Sequence, residues 1–199
     1  MKLTALFFGS YNPIHIGHLI IANYILEFTS VEELWFIVSP HNPFKDKEEL
    51  LPEQHRIEMV KRTIEKTNRL KVSDIEFTMP RPSYSIDTLT LLRKKHPENV
   101  FVIVIGADNI SELHLWKNFK KLFIKYKFWV YPRHGFPYSN VNLPDNILPF
   151  SSSFHFINAP KIEISSTFIR NAIEQDKNIR YFLTDEAYKY LSDNNLYKK

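Results

Sequence analysis

The 199-residue chain contains no cysteine, which excludes disulfides and thiolate metal sites. No apolar run reaches the roughly 20 residues that a membrane span requires. No G-x-x-x-x-G-K-[ST] segment occurs, so a Walker-type phosphate loop is excluded. No basic block dominates either: Lys and Arg total 26 against 22 Asp and Glu, a net charge of +4. That surplus suits an anionic ligand without establishing a nucleic-acid partner. The densest lysine group, Lys117 to Lys127, reads as the solvated face of a helix. Internal repeats and low-complexity segments are absent. The opening "MKLTALFF" starts like a signal peptide, but Gly9-Ser10-Tyr11-Asn12-Pro13 ends the run and no small-residue cleavage site follows. A buried first strand explains it better. These exclusions predict a cytoplasmic protein with no membrane or nucleic-acid partner, and they leave a homo-oligomer open.

What is present argues for a packed core. Apolar residues make up 44% of the chain and aromatics 15%, in a length suited to one domain, residues 1–199, with a small helical portion from about 165. Leu3 to Phe8, Leu34 to Pro40 and "NVFVIVIGAD" are predominantly apolar and read as buried parallel strands. Leu70 to Val72, extended toward Phe77, "FWVYP" and "FHFINA" are further strands. Helical spacing covers Gly17 to Phe28, Pro52 to about Thr67, Ser85 to Lys95 and Phe119 to Lys125, then "SSTFIRNAI" and "DEAYKYLSDN". Ser83 or Ser85 is the candidate cap for the third of these. Strands alternating with helices predict an α/β fold of Rossmann-like, doubly wound type, with a mainly parallel sheet and helices on both faces. Ligands of such sheets bind beyond the carboxyl ends of the strands. Gly9 to His18, Pro40 to Lys45, Gly106 to Asp108 and Tyr131 to Gly135 fall there.

The first of these segments contains His15-Ile16-Gly17-His18. Gly9-Ser10 leaves the first strand with little bulk, so main-chain amides could approach a phosphate. Histidines three apart at a helix start face the same way, and the helix's positive end adds attraction for an anion. The pair could therefore stabilise charge on a phosphoryl oxygen. Equally, one histidine could cap the helix while the other packs in the core. A zinc site lacks both cysteine and a nearby acidic partner. Near the other end, "ISSTFIR" (Ile164 to Arg170) sets three hydroxyls and an arginine at a helix start. Ser165 or Ser166 could simply cap that helix; the same groups also make a phosphate cradle.

Together, G-x-[FY]-x-P-x-H-x-G-H (Gly9, Tyr11, Pro13, His15, Gly17, His18) and I-S-S-T-x-[IV]-R (Ser165, Ser166, Thr167, Arg170) resemble the nucleotidyltransferase superfamily. "PSYSIDTL" (Pro82 to Leu89), "IGADNISELHLW" with Gly106, Asp108 and Trp116, and "VYPRHGF" with Arg133 and Gly135 are similar to segments of bacterial nicotinate-nucleotide adenylyltransferases. The likeness spans nearly the whole chain. It implies AMP transfer from ATP to nicotinate mononucleotide, giving deamido-NAD and pyrophosphate, with Mg2+ accompanying ATP and no protein-ligated metal.

The resemblance also implies roles. His15, His18 and Arg170 are the catalytic set, acting on the triphosphate with Ser166 and Thr167. Gly9, Ser10, Tyr11, Gly106, Asp108 and Ser165 complete the ATP site. Lys45, Tyr84, Ser85, Thr88, Trp116 and Arg133 belong to the substrate side, Trp116 stacking on the pyridine ring and the amides around Tyr84 and Ser85 receiving its carboxylate. For Trp116 the core, for Asp108 a helix cap and for Lys45 a surface charge are the plainer readings. Phe44 replaces a family histidine, and His134 replaces the proline of R-P-G. Nicotinamide mononucleotide and phosphopantetheine are rival substrates, and a non-catalytic nucleotide-binding regulator is the rival class. A tRNA synthetase would need a K-M-S-K-S-like loop and a longer chain.

Overall fold

The computed structural model describes residues 1–40, 50–136, 139 and 143–198. Among them six strands form one sheet: β1 (Lys2–Gly9), β2 (Glu33–Val38), β3 (Leu70–Ser73), β4 (Asn99–Gly106), β5 (Lys127–Tyr131) and β6 (Phe154–Phe156). Their order is β3-β2-β1-β4-β5-β6, and every pairing is parallel. The chain moves outward from β1 to β3, then returns to β1's other side with β4. Strand order therefore reverses between β1 and β4, where the ends of neighbouring strands part and leave a crevice.

Side-chain alternation sorts each strand between two cores. Ala5 and Phe7 of β1, Phe36 of β2, and Val102 and Val104 of β4 face α1 (Ile16–Phe28), α2 (Glu53–Ile64), α5 (Ser166–Glu174) and α6 (Asp185–Asp193). Leu6, Ile37, Phe101, Ile103 and Ile105 face α3 (Ser85–Lys95), α4 (Phe119–Lys125) and a 3-10 stretch, Ala107–Leu115. Burial on both faces is why these strands read as unbroken apolar runs rather than alternating ones. Each fully buried Leu, Ile or Phe contributes about 1.5–3 kcal/mol. The α/β class and the doubly wound, parallel sheet agree with the expectation from sequence.

Boundaries differ at several points, and β6 ends at Phe156 rather than running on to Ala159. β3 stops at Ser73, and Ile75–Thr78 turns as a 3-10 helix instead of extending the strand to Phe77. α2 stops at Ile64 rather than Thr67. Neither Ser83 nor Ser85 caps α3: the cap position is Tyr84, without a side-chain bond. No helix among the described residues is long and apolar enough to cross a membrane.

Candidate active site

A cavity of about 790 Å³ opens at the β1–β4 reversal, within the size range of small-molecule sites. Gly9, Ser10, Tyr11, His15, His18, Tyr84, Ser85, Gly106, Asp108, Trp116, Arg133, Ser165, Ser166, Thr167 and Arg170 all line it. The structure thus gathers fifteen of the residues singled out in the sequence. Lys45 and Phe44 lie outside the described residues. Thr88 does not line the cavity.

The loop from β1 to α1 is shaped by Tyr11. Its backbone takes φ 47, an uncommon left-handed value that non-glycine residues hold only when their surroundings enforce it. Burial does so here: Tyr11 is 1% exposed, and its hydroxyl donates to the Phe7 carbonyl. Burial also pushes the phenol pKa well up. A Cβ on Gly9 would stand 2.8 Å from the Tyr11 ring. Gly9 is therefore needed to seat Tyr11, and it also lines the cavity.

His15 occupies the cap position of α1. Its main-chain N–H donates to His18 Nδ1 at 3.2 Å, and the two rings lie 3.8 Å apart, tilted by 32°. Because His18 Nδ1 accepts a bond, the proton of its neutral ring sits on Nε2. His15 is buried, and its pKa is lowered to about 4, first by burial and then by the Arg133 cation. Its Nδ1 is buried with no hydrogen-bond partner among the described residues. So capping and site formation, posed as alternatives from sequence, coexist in one pair.

The second motif closes over the first. Ser165 caps α5, its hydroxyl accepting from the Phe168 amide at 3.1 Å. Ser166 Oγ donates to the Pro13 carbonyl at 2.9 Å, and Arg170 Nη1 to the Asn12 carbonyl at 3.1 Å. The Asn12 side-chain oxygen in turn accepts from Leu51 N and from Tyr197 Oη, at 3.2 and 2.8 Å. Two helix starts, α1 and α5, are thereby fixed against one loop. Of their first-turn amides, that of His18 is taken by the His15 carbonyl and that of Phe168 by Ser165 Oγ, and the positive ends of both helices favour an anion.

Across the cavity, Glu76 is 3% exposed and accepts Ser83 Oγ on one oxygen and Thr88 Oγ1 on the other, at 2.8 and 2.7 Å. Burial raises its pKa more than these hydroxyls lower it. Thr88, fully buried, is thus committed to Glu76 and does not face a ligand, which corrects its expected place on the substrate side. Asp87 pairs with Lys117 at 2.9 Å, and Lys117 Nζ lies 4.5 Å over the Tyr84 ring. Lys117 precedes α4 and lines the cavity, so it is not part of a solvated helix face. Trp116 is half-buried beside Phe128, their ring centroids 6.4 Å apart, with another part lining the cavity. It belongs partly to the core and partly to the cavity wall.

Gly106 ends β4, and a Cβ there would stand 2.2 Å from Asp108 Oδ1 and 3.1 Å from the Tyr131 ring. Asp108 makes no cap bond; it lies 3.6 Å from Arg133 Nε, whose Nη1 donates to the Ile162 carbonyl at 2.9 Å. His134 is exposed, faces Glu163 at 3.5 Å and does not line the cavity. Among the described residues no group of three or more His, Cys, Asp or Glu could hold a metal ion. Sequence reasoning missed Asn12, Glu76 and Lys117 as site residues and gave Ser83 only a capping role; Asn12 lay inside the first motif and Ser83 inside "PSYSIDTL".

A doubly wound sheet whose reversal point carries paired histidines and a facing Ser-Ser-Thr…Arg helix start defines a nucleotidyltransferase. The cytidylyltransferase-like family model matches residues 6–172. A probable nicotinate-nucleotide adenylyltransferase of Flavobacterium johnsoniae is 44% identical over 199 residues, covering all of both chains. One from Bacteroides fragilis is 46% identical over 186 residues, covering 94% of this chain and 89% of the other. Plasmodium falciparum nicotinic acid mononucleotide adenylyltransferase complexed with NaAD superposes with a TM-score of 0.81 at 22% identity, over 99% of this chain and 98% of that one. The chain belongs to the nicotinate-nucleotide adenylyltransferase family.

Proposed function

We propose that the protein transfers the adenylyl group of ATP to nicotinate mononucleotide, acting as a single nucleotidyltransferase domain. The observation that carries this is the clamp of α1 and α5 on one loop, which sets His15, His18, Ser166, Thr167 and Arg170 along the wall of one cavity. An oxygen of the mononucleotide phosphate attacks the α-phosphorus of ATP, the bond to the bridging oxygen breaks, and pyrophosphate leaves while deamido-NAD forms. The nucleophile needs no general base, because a phosphate monoester with a second pKa near ~6 is largely dianionic at neutral pH. Catalysis then rests on alignment and on stabilising charge in the transition state. The His18 Nε2–H, the Arg170 guanidinium and the first-turn amides of α5 supply that charge stabilisation; His15 buttresses His18. The described residues do not fit a resident metal, whereas Mg2+ characteristically keeps waters and binds substrate phosphates. In this reading Mg2+ enters as part of the ATP complex. The α3 start beside Tyr84 and Ser85 receives the nicotinate carboxylate, with Trp116 against the pyridine ring. Relatives named probable nicotinate-nucleotide adenylyltransferase at 40–46% identity support this choice of acceptor.

The test is pyrophosphate release from MgATP with nicotinate mononucleotide, nicotinamide mononucleotide and phosphopantetheine in parallel. Preference for the nicotinate form is expected, since an amide forfeits charge-assisted bonds at a carboxylate cradle. Equal kcat/KM on both pyridine nucleotides refutes the selectivity, and no release with any acceptor refutes adenylyl transfer.

A further inference from the structure

Arg56 of α2 is 1% exposed. Every hydrogen bond it makes among the described residues goes to a main-chain carbonyl: Nε to Leu51 at 2.9 Å, Nη1 to Ser10 at 2.6 Å and Ser39 at 2.7 Å, and Nη2 to Pro40 at 3.0 Å. Glu53, which acts on it through space, is itself bonded to Arg81. A guanidinium stays charged in such a place, and burying a charge without a counter-ion is costly. For stability alone, a cation here is a poor choice.

Its carbonyl partners show what else it does. In a trans peptide the C=O and the following N–H point in opposite directions. With the Ser10 carbonyl drawn to Arg56, the Tyr11 N–H is turned away from it; both residues, with Ser39, line the cavity. Pro40 and Leu51 stand on either side of 41–49, so one side chain holds both flanks of the segment that carries Lys45. Leu51 N continues to Asn12, whose carbonyl receives Arg170. One buried cation thus ties the ends of β1 and β2 and, through Asn12, the α5 clamp.

We propose that Arg56 is a positioning residue for triphosphate binding: it withdraws the Ser10 carbonyl, aims the Tyr11 N–H at the anion and places a permanent positive charge beneath the loop. This rests on the adenylyl-transfer reading.

The test uses the full chain as wild type, Arg56→Lys and Arg56→Gln, titrated with MgATP by calorimetry. Dissociation constant and stoichiometry separate in the isotherm. The Kd is expected to rise about tenfold in Arg56→Lys, which keeps the charge but loses the fork, and about a hundredfold in Arg56→Gln. Unchanged Kd with lowered stoichiometry or Tm means a merely structural arginine and overturns the proposal. In the wild type alone, the Tyr11 amide resonance is expected to shift on saturation with MgATP; an unmoved resonance overturns it even if neither variant folds. Wild type that releases no pyrophosphate instead sinks the underlying reading, so the two failures are distinct.

Discussion

His15 carries a pH dependence that can be worked from its surroundings. The ring is 6% exposed, and burial followed by the Arg133 cation lowers its pKa to about 4, against roughly 6.5 in an unfolded chain. The folded state therefore binds the proton less readily than the unfolded state. The contribution is whole above about pH 6.5 and is lost as pH falls toward 4, because protons then pull the equilibrium toward unfolding. Between about pH 7 and pH 4.5 the loss attributable to this ring is about 2 kcal/mol. His15→Asn offers an amide in place of Nδ1 and cannot titrate. Urea melts of both proteins at the two pH values, each extrapolated to water, give the loss of stability for each. The wild type is expected to lose about 2 kcal/mol more than the variant. Other titrating groups, buried Glu76 among them, are common to both and cancel in the difference. Equal losses would show that His15 does not resist protonation and that its burial has been misjudged.

Three further outcomes follow from the same geometry. His18→Asn keeps an acceptor for the His15 amide but lacks Nε2–H, so stability should hold while turnover falls about 10²–10³-fold; His18→Ala should lose the same turnover and about 1 kcal/mol besides. Wild-type turnover in His18→Asn would leave that ring a cap and nothing more. Gly106→Ala puts a Cβ 2.2 Å from Asp108 Oδ1, forcing that carboxylate from its place 3.6 Å from Arg133; a KM for ATP raised about tenfold, some 1.4 kcal/mol, is expected, and an unchanged KM refutes a role for Asp108. ATP binding brings negative charge against His15 and raises its pKa, so calorimetry in buffers of different ionisation enthalpy should show proton uptake near pH 5 and none near pH 8. Absence of uptake at the lower pH places the triphosphate away from this ring.

The sheet was legible because both of its faces are covered: Leu3 to Phe8 and Val100 to Ile105 need no polar residue, and they announce buried parallel strands. The strand order was not, since which strand neighbours β1 is decided by where β4 returns, a tertiary choice without a local signature. The two halves of the proposed phosphate site were legible as motifs because main-chain geometry at a helix start restricts the residue types. Their supports were hidden for an opposite reason. Arg56 lies among Glu53, Glu58, Lys61 and Arg62 on an amphipathic helix, where an arginine ordinarily faces water; only the four carbonyls gathered in space show otherwise. Glu76 likewise follows a short strand with nothing to mark it as buried. Thr88 was misplaced because a hydroxyl one turn into α3 looks available, and only Glu76 shows where it points.

The site divides its work between permanent charge and directed donors. The guanidinium groups of Arg56, Arg133 and Arg170 lie under or around the cavity and offer attraction for a polyanion that does not depend on a histidine. The histidines contribute direction instead. His18 Nδ1 accepts from the His15 N–H, and a proton on His15 must overcome burial and Arg133. The His15 ring thus remains neutral across the neutral range and does not change charge as ATP arrives near pH 7. A cleft that used histidinium to hold a triphosphate would lose affinity as pH rose through 6 to 8. This one should hold MgATP with a Kd that is flat across that interval, and a tenfold weakening between its ends would mean that a histidine, and not the arginines, supplies the binding charge.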